Sequence, residues 1–239
     1  MAKTFLTAEW RKLIMANYVV PESLLLPYLP LGTELDRFQG QSFVSLIGFL
    51  FCETRLKGFR IPFHGEFEEV NLRFYVRRTD ASGAVRRGVV FLRELVPRVA
   101  LCVVANSLYG EKYAVVRMKH VWRSTGDSLS VGYSWRKKGR WFEMQVDSRP
   151  QAEAIAEGSV EEFITEHYWG YTKLRDGRTS EYEVVHPRWV VYPVERYGLA
   201  VDFAVNYGSH FAGLDGQKPQ SVLLAEGSAV SVLSGQRLG

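Results

Sequence analysis

The stretch "FEEVNLRFYVRR", Phe67 to Arg78, decides the fold. Side chains alternate across an extended chain. Val70, Leu72, Phe74 and Val76 therefore share one face, and Glu69, Asn71, Arg73, Tyr75 and Arg77 the other. A turn at Asp80–Gly83 leads into "RRGVVFLRELVPR", Arg86 to Arg98, so the two runs predict a β-hairpin. Strict alternation on the second strand puts Val89, Phe91, Arg93 and Leu95 on one face. A guanidinium then sits among apolar neighbours, with Glu94 pointing the opposite way.

Upstream, "SFVSLIGFLFCE", Ser42 to Glu53, is apolar on both faces. That marks a strand covered on both sides. Downstream, "KYAVVRMKHVW", "SLSVGYSW" and "WFEMQV" alternate, the last two joined by "RKKGR". "YTKLRDGRTSEYEVVH" reads as a hairpin about Asp176-Gly177, and "WVVYPV" and "SVLLAEGSAVSVL" as further strands. Helices are expected at the periphery. In "TAEWRKLIMANY", Trp10, Leu13, Ile14 and Asn17 recur at i, i+3, i+4 and i+7 behind a capping Thr7. "VVPESLLLPYLP" predicts a second short helix, started by Pro21 and stopped by Pro27 and Pro30. Pro97 and Gly110 punctuate a third, although Val99, Val103 and Val104 also suit a strand. Ser159 and Glu162 stand at capping-box spacing, and "GLAVDFAVNYG" is a last helix candidate.

No repeat or linker divides the chain. The expectation is one mostly β (α+β) domain over residues 1–239: a large, antiparallel, curved or barrel-like sheet with peripheral helices. The 46% hydrophobic and 23% charged composition is that of a globular chain. A net charge of +4 over 239 residues is too small an excess to point to nucleic acid. The basic run Arg136 to Arg140 reads as a solvated hairpin tip, or as a surface for an acidic protein partner. Cys52 and Cys102 lie in apolar runs and make no disulfide framework. With no signal-peptide pattern and no long apolar stretch, the expected location is the cytoplasm, without a membrane partner.

Three groups of residues can carry chemistry. Glu69, Asn71 and Arg73 either form a solvated face or line the inside of a barrel, where they would hold a polar ligand. Arg93 either pairs with a carboxylate such as Glu69 or clamps a substrate carboxylate. In "YGEKY", Tyr109 to Tyr113, Lys112 is a surface lysine or, with a lowered pKa, an amine nucleophile. The five histidines show no metal-ligand spacing, and no cofactor motif occurs. Those in "HYWGY" and "HPRW" read as aromatic packing with tethered polar tips.

"VPESLLLPYLPLGTELDRFQGQSFVSLIGF", "EVNLRFYVR", "GVVFLREL", "LYGEKYAVVRM", "HYWGYT", "HPRW" and "SVLLAEGSAVSV", in that order, resemble the YqjF-like bacterial family over nearly the whole chain. That family is distantly similar to the acetoacetate decarboxylase superfamily. The resemblance implies a double-layered or cone-like β-barrel around a central cavity. It also implies a loop carrying two adjacent lysines after a glycine, one of which forms a Schiff base. Here Gly110 is kept but Lys112 stands alone, shifted by one, and Tyr18 lies where the superfamily has an arginine. Glu69 resembles the superfamily's cavity glutamate. The expected function is binding of a small carboxylate by Arg93, Glu69, Asn71, Arg73, Tyr109 and Tyr113. The alternatives are Schiff-base chemistry on a keto acid, with Lys112 and Glu69 as catalytic groups, and partner binding through the basic hairpin. A homo-oligomer fits any of them.

Overall fold

A computed structural model describes residues 3–60, 64–98 and 112–238. Its main elements are β1 (Thr4–Val20), β2 (Ser42–Leu56), β3 (Phe67–Thr79), β4 (Val85–Val96), β5 (Tyr113–Val115), β6 (Arg117–Ser124), β7 (Leu129–Lys137), β8 (Arg140–Ser148), α1 (Val160–Thr165), β9 (Trp169–Lys173), β10 (Thr179–Val185), β11 (Val194–Ala200), α2 (Phe203–Tyr207) and β12 (Ser221–Leu233).

The order β12-β1-β2-β3-β4-β9-β10 closes on itself, because β10 also pairs with β12 through Val184↔Val232 and Val185↔Ser231. The sheet is thus a barrel. It is mixed rather than wholly antiparallel: β9 runs parallel to β4, and β5 parallel to β4. Gly88 makes the first junction close. A Cβ there would lie 2.5 Å from the Trp169 carbonyl oxygen. A second sheet, β11-β8-β7-β6, lies outside one wall.

Two cores explain the doubly apolar strands. Val44, Leu46, Val70, Leu72, Phe74, Val90 and Leu95 face outward and pack with Val131, Tyr133, Trp135 and Met144 of the second sheet. Ile47, Phe49, Phe51, Phe67 and Val89 face inward. α1 adds Phe163 and Ile164 to this inner core. Its capping is as read from sequence, with Ser159 Oγ accepting from the Glu162 amide at 3.1 Å. The hairpins at Asp80–Gly83, Lys138-Gly139 and Asp176-Gly177 also stand as expected.

The helix expected over Thr7–Tyr18 is strand β1, bonded along its length to β12 and β2. Its helical spacing comes from a bulge. Lys12 sits at φ 53°, and the register to β2 slips between Arg11 and Ile14. Trp10 and Leu13 both face the inner core, while Ile14, Ala16 and Tyr18 face the outer one. One inserted residue in a strand imitates an i, i+3 pattern. The second predicted helix is two 3-10 turns, Glu22–Leu24 and Leu26–Tyr28. The last candidate is helical only over Phe203–Tyr207, its first part belonging to β11. The helix expected between Pro97 and Gly110 falls almost wholly outside the described residues.

Opposite the β1 bulge, Gly227 has φ 82°, and a Cβ there would sit 1.9 Å from the Trp10 carbonyl oxygen. Gly227→Ala is expected to cost at least about 2 kcal/mol, since it combines backbone strain with a backbone clash. Gly213→Ala, which meets nothing within 4 Å, serves as the neutral control. Urea titration of both variants checks the contrast.

Candidate functional site

The barrel holds a partly open cavity of about 170 Å³. Its apolar wall includes Trp10, Phe49, Phe51, Phe67, Phe91 and Trp189. Its polar wall is built mainly by β3 and β4. Glu69, Asn71 and Arg73 project inward from alternate positions of β3 and are only 2%, 2% and 9% exposed. Glu94 joins them from β4, directly across from Asn71 in the register.

Glu94 owes its place to a second bulge. Leu72 pairs with Arg93 but Arg73 pairs with Phe91, so Leu92 is an extra residue. Beyond it the faces exchange. The expectation that Arg93 shares a face with Phe91 is therefore corrected. Phe91 lines the cavity, whereas Arg93 turns away and donates from Nη1 to the Asn206 carbonyl at 3.2 Å. Lys137 donates to that same carbonyl at 2.7 Å.

Inside, Asn71 Nδ2 donates to Glu69 Oε1 at 2.8 Å, and the Tyr113 hydroxyl to Glu69 Oε2 at 3.4 Å. Asn71 Oδ1 is buried and accepts no hydrogen bond. Arg73 reaches the Ile164 carbonyl through Nη2 at a long 3.4 Å, and its buried Nε has no acceptor. Among the described residues, Arg73 makes no ion pair. A buried guanidinium without a carboxylate is costly and is a standing demand for an anion.

Beside it lies His167, buried against Phe163 and Tyr75. Its Nε2 bonds Asp36 Oδ2 at 3.0 Å, and Arg87 Nε donates to the same oxygen at 2.7 Å. Burial pushes the His167 pKa down to about 4; Asp36 opposes the shift, and the Arg87 and Arg73 charges add to it. Burial raises Asp36, but the bonds from His167 and Arg87 outweigh this and hold it at about 2. A neutral His167 donating from Nε2 leaves Nδ1 as a buried acceptor without a partner. His186, stacked on Trp189 at 4.4 Å, also has its pKa lowered by burial.

Of the residues singled out from sequence, Glu69, Asn71, Arg73 and Tyr113 come together at the cavity. Lys112 is exposed and outside the lining. Its Nζ lies 5.2 Å from the centre of the Tyr28 ring, and its carbonyl accepts from the Glu94 amide at 3.2 Å. Tyr109 lies outside the described residues. Sequence reasoning missed Glu94, because the parity reversal leaves no mark in the residue pattern. It also missed the Asp36–His167 pair, whose members are 131 positions apart. Among the described residues no group of three or more His, Cys, Asp or Glu is placed to hold a metal. Among them, no helix is long and apolar enough to cross a membrane.

The model of the DUF2071 family, described as an uncharacterized conserved protein, matches residues 7–229, and the chain belongs to that family. It is 27% identical over 190 residues to the uncharacterized protein YqjF of Bacillus subtilis (strain 168), covering 78% of this chain and 74% of that one. The fold is shared with acetoacetate decarboxylase from Legionella pneumophila, at TM-score 0.64 and 12% identity over 99% of this chain and 88% of that chain. It is likewise shared with the enduracididine biosynthesis enzyme MppR complexed with pyruvate, at TM-score 0.66 and 12% identity over 100% and 92%. At such identities the likeness is one of fold.

The buried His167 makes stability depend on pH. Its imidazole titrates at an ordinary 6.5 in the unfolded chain and at about 4 in the folded one. Between these values only the unfolded chain takes up the proton, so stability is full above the upper value and falls as pH drops toward the lower. A loss of about 2 kcal/mol is expected between pH 7 and pH 5. Asp36 adds a further loss below its ordinary 3.8. Urea midpoints across this range check the slope, and His167→Gln flattens it.

Proposed function

We propose that the barrel cavity binds a small organic carboxylate, and that Arg73 is its anchor. The single observation that carries this reading is the buried Arg73 guanidinium, without a counter-ion among the described residues, in the lining of the cavity. A carboxylate would supply the missing acceptor in a charge-assisted, two-point contact. The cavity is smaller than the ~300 Å³ at which pockets for drug-sized molecules begin, which suits a metabolite of few atoms. Glu69, Asn71, Glu94 and Tyr113 would fix the other end of the molecule, and the aromatic wall its carbon chain. MppR, alike in fold, is complexed with pyruvate, itself a small carboxylate.

The reading is one of binding. The only lysine considered for imine formation, Lys112, is exposed and outside the lining. Arg93, the other arginine considered for the ligand, is directed to the Asn206 carbonyl.

Calorimetric titration with pyruvate, butyrate and valerate tests the anchor. Arg73→Gln is expected to weaken binding at least about tenfold, the worth of a hydrogen bond to a charged group. Arg93→Gln is expected to leave it unchanged. Equal affinity in Arg73→Gln would remove Arg73 from the site. Borohydride added with pyruvate is expected to leave Lys112 unmodified by mass; an adduct there would shift the reading to imine chemistry.

A further inference from the structure

The polar wall of the cavity carries more carboxyl groups than guanidinium or ammonium groups. Among the described lining residues Arg73 is the one arginine and there is no lysine, against the carboxylates Glu69 and Glu94. Residues 61–63 and 99–111 contain neither lysine nor arginine. His167 is neutral at physiological pH. A simple carboxylate on Arg73 would therefore bring a third carboxyl group into a chamber that already has two beside one guanidinium, and like-charge repulsion disfavours such crowding at low dielectric.

The placement of the groups suggests what resolves this. Glu94 and Asn71 face each other across β3 and β4, and Glu69 is tied to Asn71 by a 2.8 Å hydrogen bond. Asn71 is 2% exposed, yet its Oδ1 accepts nothing. This end of the cavity offers two carboxylates and an unfilled amide oxygen, all acceptors. Arg73 offers an unfilled donor, Nε, one strand repeat away. Two residues of strand span roughly 7 Å. Donor-seeking and acceptor-seeking groups thus face one chamber, whose remaining wall is largely aromatic.

Resting on the carboxylate reading above, we infer that the ligand is a zwitterion: a carboxylate held by Arg73, joined through a short carbon chain to a protonated nitrogen held by Glu94, Glu69 and Asn71. An amino, amidino or guanidino group fits the second end equally. Such a molecule adds no net charge to the chamber. Its carbon chain is short, to suit a cavity of about 170 Å³.

Matched ligand pairs on the unaltered chain test this by calorimetry: δ-aminovalerate against valerate, and γ-aminobutyrate against butyrate. The amino compound of each pair is expected to bind at least about tenfold more tightly, as a charge-assisted contact would give. Glu94→Gln, and independently Glu69→Gln, are expected to shrink that ratio, with little change for valerate or butyrate. Arg73→Gln is expected to weaken all four ligands. If valerate matches or exceeds δ-aminovalerate while still depending on Arg73, the zwitterion is overturned and the carboxylate reading stands. If no carboxylate binds, amino or plain, both fall. The paired ratios come from the natural chain, so a Glu variant that fails to fold leaves the test intact.

Discussion

Alternation is the constraint on which this molecule depends. Side chains on a strand face opposite ways in turn, and one inserted residue reverses every side chain beyond it. Two such insertions decide what the inner core and the cavity receive. The bulge at Lys12 passes β1 from one parity to the other, so that Trp10 and Leu13 both serve the inner core. The bulge at Leu92 brings Glu94 to the cavity and sends Arg93 to the Asn206 carbonyl. Without the second, the chamber would hold two arginines and one glutamate, and its balance of acidic and basic groups would be inverted.

The chamber is affordable because it is walled twice. A single sheet with polar residues inward would leave its other face in water. Here Val70, Leu72 and Phe74 of β3 are covered by the second sheet, while Glu69, Asn71 and Arg73 of the same strand look into the barrel. The outer core can supply hydrophobic stabilisation that the inner polar groups do not. Closure through β10 and β12 also removes the sheet edges that an open curved sheet would expose.

How much of this was legible follows from the same constraint. β2 follows from its doubly apolar run and β12 from its strand-forming residues; the strands β3, β7 and β8 and three hairpins follow from period-two patterns and turn residues. So does the inward group Glu69, Asn71 and Arg73, once the sheet is taken to close. Alternation itself gives two faces without saying which is wet. It was the doubly apolar Ser42–Glu53 beside it that marked a strand covered on both sides. What could not be read were the places where periodicity is broken on purpose. Thr7–Tyr18 looks helical because a bulge inserts an i, i+3 step, and tertiary pairing with two neighbours overrides that local pattern. Arg93 and Glu94 are adjacent in an unbroken apolar run, and nothing in their neighbours signals the slip. Asp36 and His167 meet only because the chain between 20 and 42 lies along β3, through Glu34↔Arg77 and Leu35↔Val76.

The polar interior also ties stability to occupancy. The Arg73 Nε and the Asn71 Oδ1 are buried without protein partners, and each such group costs free energy that the rest of the fold must outweigh. A ligand that fills them binds the native state alone, so it raises stability in proportion to its affinity and concentration. Arg73 is poised for this in a way that Arg78 and Arg86 are not. Those two share the fully buried Glu181 carboxylate and are satisfied by the fold itself. The same residue type is satisfied by the fold where its counter-ion is built in, and keeps an unfilled donor at Arg73, where among the described residues none is.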